Sequence, residues 1–547
     1  MTTSGDAEEY LHASATGTTL SFWAARRPDV PAVTAPDGER SFAALDAEAN
    51  RVARVLRRAG LVPGDAVAVL LPNRCELAVV YYAALRAGLR FVPVNRHLAA
   101  DEVHYVVDDC EALAVVADHR FAEVADAATA PIGRLRLRLS VGGAIPGFRP
   151  LAEAAAAESP QALPDPVRGR WMFYTSGTTG RPKGVVRDLP PPSADGMGGN
   201  TNRPGEVTPE EMARAGIPDQ RMEPGVSRHL CTGPLYHAGP LNVSLTVPLA
   251  AGVGVVLMDD WSPEETLRLI AEHRITHSHM VPTMFTRLLA LDEHVRDAAD
   301  VSSLRYVWHG AAQCPVSLKK AMIDWWGPVL LEYYAATEGS VTYVSSEDWL
   351  RRPGTVGRPT SPDKVLILDE DGEPLPPGHA GTIWIKAPAQ RFSYLKSPEK
   401  TAGSYRGDHY TLGDIGYLDE DGFLFLTDRV ADLIITGGVN VYPAEVEARL
   451  TTHPAVRDVA VLGVPDPEWG ERVIAVVEPV AGTPTADDAL AADLIHFCRT
   501  HIAHFKCPKE VHFVTALPRT DAGKLPKREL RERYRARAAA GTGGTSR

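Results

Sequence analysis

The stretch Tyr174-Thr-Ser-Gly-Thr-Thr-Gly-Arg-Pro-Lys-Gly184 constrains this chain more than any other. It follows a short apolar run, Trp171 to Tyr174, that reads as a strand. Gly177, Gly180 and Gly184 let backbone N–H groups approach a ligand closely. Those N–H groups, with the hydroxyls of Thr175, Ser176, Thr178 and Thr179, form a concavity for anions, and Lys183 adds a mobile positive charge. The predicted ligand is a chain of phosphates. The pattern is not the P-loop signature, which requires Ser or Thr after the lysine, because Gly184 follows Lys183.

Composition narrows what such a loop can serve. A formal net charge of −12 argues against a nucleic-acid surface, which needs a basic face. The six cysteines form no Cys-x-x-Cys pair, so neither a zinc site nor a disulfide framework is indicated. Residues 1–17 are polar and acidic with no apolar core segment; they read as disordered and not as a signal peptide. The longest apolar stretch, Leu241 to Met258, is broken by Asn242, Pro248 and two glycines, so it reads as a buried helix plus strand and not as a membrane span. The expected setting is the cytoplasm.

Helical periodicity from Ser41 to Leu56 is followed by an apolar strand at Ala66 to Leu71 and a helix from Cys75 to Ala87. A strand at Phe91 to Asn95, a helix at Asp101 to Asp109 and a strand at Ala112 to Ala117 continue the alternation. Such β/α alternation predicts parallel sheets covered by helices. Leu135, Leu137 and Leu139 alternate with arginines and suggest a half-exposed strand. Asp188 to Arg228 is rich in Pro and Gly and reads as a long loop beside the site, with a short helix at Pro209 to Ala215. Ser262, Pro263 and Glu265 form a helix start. Gly354 to Trp384 suggests a small β subdomain, and after Arg429 the pattern restarts as a small α+β unit. The expected organisation is a large domain over 18–428, a hinge at 429–432, a small mobile α+β domain over 433–537 and a flexible tail at 538–547.

The glycine-rich stretch closely resembles the phosphate loop of the adenylate-forming superfamily: acyl-CoA synthetases, adenylation domains of peptide synthetases, and luciferases. Further segments extend the resemblance over nearly the whole chain, in family order. Tyr333-Tyr-Ala-Ala-Thr-Glu-Gly339 implies that Thr337 meets the α-phosphate and Glu338 binds Mg²⁺, a hard cation suited to one carboxylate plus phosphate oxygens. Ala335 replaces the family's usual glycine. His309-Gly-Ala-Ala312 implies an adenine-stacking segment through Ala311 and Ala312, with Tyr334 on the other face of the base, Glu332 and Tyr333 nearby, and Gly310 governing the acyl channel. Leu235-Tyr-His-Ala-Gly239 implies that His237 shields the acyl pocket beside Gly239.

Gly413-Asp-Ile-Gly416 implies that Asp414 accepts the ribose hydroxyls, with Arg429 as a second contact and Leu426 packing nearby. Gly437 and Gly438 correspond to the path of the CoA pantetheine. Leu517-Pro-Arg-Thr-Asp-Ala-Gly-Lys-Leu525 implies that Lys524 grips both the substrate carboxylate and the α-phosphate. The family's polar hinge residue is replaced by Ala431. His273, His277 and His279 lack a carboxylate or cysteine at ligand spacing, so zinc is not indicated.

The implied activity is an AMP-forming acyl-CoA synthetase that uses ATP, Mg²⁺ and CoA. Small residues at Ala238, Gly239, Gly310, Ala311 and Ala335 suggest a bulky lipophilic acid, such as a long-chain, terpenoid or steroid acid. The alternatives are an acyl-AMP ligase that loads a carrier protein, and a nucleotide-binding homologue without catalysis. A hydrolase is not indicated, since no Gly-x-Ser-x-Gly elbow occurs. A homodimer is the expected assembly.

Overall fold

A computed structural model of the chain describes residues 4–541, except 176–181, 190–191, 193–212, 214–215, 218, 313, 362, 389–390, 430–431, 437–438, 467–468, 482–486, 503 and 521–522. The alternating apolar runs build two large sheets. Six parallel strands lie in the order Arg149–Pro150, Leu137–Val141, Ala112–Asp118, Ala66–Leu70, Arg90–Pro93 and Arg170–Trp171. The central strand Ala66–Leu70 is buried on both faces, as its unbroken apolar sequence requires. The helix Phe42–Arg58 packs against the helices Cys75–Arg86 and Leu151–Ala156, and Ser41 caps it by accepting from the Ala44 N–H at 3.2 Å.

The second sheet has nine strands. At its centre Leu330–Ala336, Tyr306–His309, His277–Met280, Arg228–Cys231 and Gly254–Leu257 run parallel side by side. Gly339–Ser345 returns antiparallel beside Leu330–Ala336. In open parallel sheets ligands bind beyond the carboxyl ends of the strands. Those ends here carry Thr232, His279, Ala311 and Thr337.

A five-stranded antiparallel sheet holds Val365–Leu368, Gly381–Lys386, His409–Leu418, Tyr405–Arg406 and Leu424–Arg429. The C-terminal unit is another five-stranded sheet, in which Gly470–Pro479 is central and forms a long hairpin with the edge strand Val456–Asp466. The helices Pro443–Leu450 and Lys527–Gly541 pack against Val456–Asp466, and Asp488–Arg499 packs against Pro443–Leu450 and the strand Glu510–Phe513.

Three expectations are corrected. Residues Ser4–Thr16 form a helix instead of a disordered lead. Tyr10 is 2% exposed and its hydroxyl donates to the Ala250 carbonyl at 3.0 Å. Arg26 pairs with Asp6 and Glu9 at 2.8 and 2.7 Å. The buried helix expected after Leu241 opens as a π-helix, Pro240–Thr246, followed by the short α-helix Val247–Ala250. The final helix runs through Gly541, past the point where fraying was expected. Most of the expected loop 188–228 and its short helix lies outside the described residues. No helix among the described residues is long and apolar enough to cross a membrane.

Candidate active site

The phosphate-loop stretch joins two antiparallel strands, Phe173–Thr175 and Lys183–Arg187, with Thr175 directly opposite Lys183. Ser176, Gly177, Thr178, Thr179 and Gly180 lie outside the described residues. The base of the hairpin is firmly held. Tyr174 donates to Asp109 at 2.6 Å, and Tyr105 donates to the Pro182 carbonyl at 3.0 Å. The next strand in this sheet, Phe392–Tyr394, brings Tyr394 beneath Lys183, whose ammonium lies 5.2 Å from the ring centre. The Tyr394 hydroxyl donates to Glu338 Oε1 at 2.9 Å. Burial, then Glu338, pushes the Tyr394 phenol above its usual range, so it stays protonated as a donor. Burial, then the adjoining Lys400 amine, brings Lys183 down to about 8. Two lysines and one buried carboxylate thus meet at the hairpin. The sequence reading missed Tyr394 and Lys400; neither stands in a glycine-rich or otherwise marked stretch.

The turn Thr337–Glu338 links Leu330–Ala336 to Gly339–Ser345. Gly339 is required there, since a Cβ would come within 2.2 Å of the Tyr410 hydroxyl. Tyr334 donates to Asp414 Oδ2, and Asp414 stands directly opposite Arg429 in the ladder. Leu426 pairs with Gly416 in the same ladder. The expected ribose contacts are therefore brought together at backbone level.

Beyond these residues lies a cavity of about 150 Å³. His237, Gly239, His279, Trp308, Ala311, Tyr333, Ala335, Thr337 and Lys524 all border it. The π-helix forms one wall through Asn242 and Val243. His237 is carried into place by a segment that Asn73 ties down. Its amide donates to the Gly233 and Met258 carbonyls at 2.9 and 2.8 Å, and its oxygen accepts from the Leu235 N–H at 2.9 Å. On the sheet side His279 Nε2 and the Tyr333 hydroxyl are 2.7 Å apart. Burial brings His279 down to about 4, so the ring is neutral near pH 7. His277, on the same strand, is likewise lowered to about 4. No cluster of three His, Cys, Asp or Glu residues able to hold a metal occurs among the described residues.

Some expected residues stand differently. The Glu332 carboxylate does not border the cavity; it is buried with Lys319 at 2.6 Å, on the opposite face of its strand from Tyr333. Gly310 also lies off the cavity wall. A Cβ there would come within 2.8 Å of the Tyr333 carbonyl and 2.9 Å of its ring, so Gly310 makes room for Tyr333 instead of opening a channel. Ala311 borders the cavity with φ +68°, a left-handed conformation that costs a non-glycine residue on the order of 1 kcal/mol or more. Ala312 does not border the cavity.

Lys524 arrives from the C-terminal unit. Its loop is fixed by Arg519, which makes paired contacts to Asp458 at 2.5 and 2.7 Å, and by the Thr520 N–H donating to the Lys524 carbonyl at 2.9 Å. Gly523 has φ +72°, and a Cβ there would meet the Thr283 hydroxyl at 2.6 Å. Glycine is what allows this loop to press against the large domain. Gly437, Gly438 and Ala431 lie outside the described residues.

The model of the AMP-binding enzyme family matches residues 20–395, and that of its C-terminal domain matches 445–524. This chain belongs to the AMP-binding enzyme family. A feruloyl-CoA synthase of Amycolatopsis is 34% identical over 527 residues, covering 94% of this chain and 99% of the relative. The long-chain-fatty-acid–CoA ligase FadD13 of Mycobacterium tuberculosis is 32% identical, with 91% and 94% covered. The structure of ATP-bound MatB from Rhodopseudomonas palustris superposes with a TM-score of 0.79 at 32% identity, over 95% of this chain and 99% of that one. The AMP-binding enzyme described here is an AMP-forming acid–thiol ligase.

Proposed function

We propose that this enzyme joins a bulky carboxylic acid to AMP and then to CoA, and that the residues assembled above divide the work. The observation that carries the reading is the seat of Lys524. It comes from the C-terminal unit yet borders the same cavity as Thr337 and His237. In the first half-reaction a carboxylate oxygen attacks the α-phosphorus of ATP, and the bond to the β-phosphate bridging oxygen breaks, releasing pyrophosphate. Lys524 offsets the charge of the attacking carboxylate and of the α-phosphoryl oxygens, and the Thr337 hydroxyl donates to the latter. Lys183 and Lys400 meet the departing pyrophosphate, while Tyr334, Asp414 and Arg429 hold the nucleoside. Such a step is catalysed chiefly by positioning and fixed charge.

Glu338 fits a Mg²⁺ ion, which is usually bound by one or two carboxylates with substrate phosphates and water. It is 7% exposed and lies beside Lys183 and Tyr394. The ion, when bound, would neutralise phosphate charge.

In the second half-reaction the thiol sulfur attacks the acyl carbonyl, AMP leaves, and the thiol proton passes to solvent. Before this attack the hinge at 429–432 turns the small domain, withdrawing Lys524 and bringing Gly437 and Gly438 to the pantetheine path. The domain division at 428–432 is part of this proposal. The test is pyrophosphate release from ATP across a panel of acids, followed by thioester detection with CoA and, separately, with a phosphopantetheine-bearing carrier protein. Loading of the carrier with no reaction on CoA would replace CoA as the acceptor. ATP left intact with every acid would overturn the ligase reading.

A further inference from the structure

The cavity carries more information about the acid than its small residues suggest. Its volume of about 150 Å³ is close to that of an engineered cavity known to admit benzene, which is about 150 Å³. Three aromatic side chains, Trp308, Tyr333 and Tyr343, stand in its wall among small and aliphatic residues. Trp308 stands 6.2 Å from Tyr333 and meets Tyr343 edge-on at 6.0 Å, so the three rings present a packed aromatic surface against which a further ring can stack or meet edge-on. Polar side chains also stand in this wall, among them Asn242 on the π-helix and the joined His279–Tyr333 pair. Gly239 keeps the pair accessible, because a Cβ there would come within 3.1 Å of the Tyr333 hydroxyl. Among the described lining residues Lys524 is the one charged side chain, and it borders the same cavity as Thr337. A second carboxylate or an ammonium deeper in would be buried without a counter-ion, which is costly.

We propose that the acid is a single-ring aromatic monocarboxylic acid, otherwise uncharged, whose ring carries a hydrogen-bonding substituent such as a hydroxyl. This rests on the ligase reading and narrows its bulky acid to one ring. The carboxylate faces Lys524, the ring lies against Trp308 and Tyr343, and the substituent reaches Asn242 or the His279–Tyr333 pair. A site built to bond a hydroxyl discriminates against the analogue lacking it far better than an apolar slot does.

The experiment is pyrophosphate release by the full chain with Mg-ATP and a panel of acids: 4-hydroxybenzoate, 4-hydroxycinnamate, their unsubstituted counterparts, terephthalate, phenylalanine, palmitate and cholate. A hydroxylated single-ring acid is expected to exceed its unsubstituted counterpart, palmitate and cholate by at least about tenfold in kcat/KM. Asn242→Leu and Tyr333→Phe are each expected to narrow the hydroxylated-to-unsubstituted ratio several-fold, with folding checked by the thermal shift that ATP produces. Should either variant fail to fold, the wild-type ranking decides alone. Preference for palmitate, cholate or terephthalate overturns the proposal and leaves the ligase reading standing. Silence with every acid overturns the ligase reading, and the proposal with it.

Discussion

The two halves of the site are built in opposite ways. The nucleotide half is charged and comes from short contiguous stretches: the hairpin ending at Lys183, the turn at Thr337–Glu338, and the ladder pair Asp414 and Arg429. The half proposed for the acid has Lys524 as its one charged lining side chain among the described residues, and mixes Trp308, Tyr333 and Tyr343 with small and aliphatic residues. It is collected from strands and a π-helix far apart in the chain, with one or two residues from each. Recognition of phosphate needs many backbone donors in a row, which only a local motif supplies. Recognition of an organic ring needs a shaped wall, which only packing supplies.

Predictions sharpen this contrast, from the largest effect down. Removing the one preorganised charge in the cavity wall acts on a single chemical step. Lys524→Ala is expected to slow adenylation by about 10² to 10³-fold, roughly 3–4 kcal/mol, while thioester formation from synthetic acyl-AMP is spared. Equal loss in both assays would count against the domain swing.

Acid instead attacks the packed half. His277 and His279 are held near 4 by burial, against about 6.5 in the unfolded chain. The unfolded state therefore binds more protons between those values. Their contribution is complete above about pH 6.5, falls as pH drops through that window, and is spent below about 4. Urea unfolding at pH 5 against pH 7 is expected to show a loss on the order of 2 kcal/mol per histidine; unchanged midpoints would refute it.

Asn73 holds the segment that carries His237. Asn73→Ala strands its backbone partners and is expected to cost about 1–2 kcal/mol of stability, with the loss visible as a lower Tm. Lys400→Ala should be the mildest. It is expected to raise the KM for ATP several-fold and to shift the Lys183 titration upward, because one neighbouring cation is gone. Steady-state ATP titrations over pH 7 to 9 would detect both.

How far each part was legible follows from where its information resides. The strand at Ala66–Leu70 and the helix at Phe42–Arg58 were readable because burial on two faces, or on one, imposes its own spacing. The helix at Ser4–Thr16 was not, since it is mostly polar and is anchored by Tyr10 on a carbonyl distant in sequence. The π-helix escaped because Leu241 to Met258 is apolar with too little periodicity to show a turn of irregular pitch. Glu332 and Gly310 were read from their motifs, which do not show the neighbours that packing gives them. Strand alternation turned Glu332 towards Lys319, and close packing gave the space beside Gly310 to Tyr333.

Sequence by itself determined the family, the phosphate-binding chemistry and the candidate charges, because those demands fall on adjacent residues whose types cannot be exchanged. Tertiary structure alone decided that Lys524 and Thr337 border one shared cavity, that Tyr394 and Lys400 join Lys183, and that Trp308, Tyr333 and Tyr343 come together in the wall of that cavity. Those facts depend on which distant surfaces touch. Contact between remote segments is set by the packing of whole sheets and leaves little trace in any short stretch of chain.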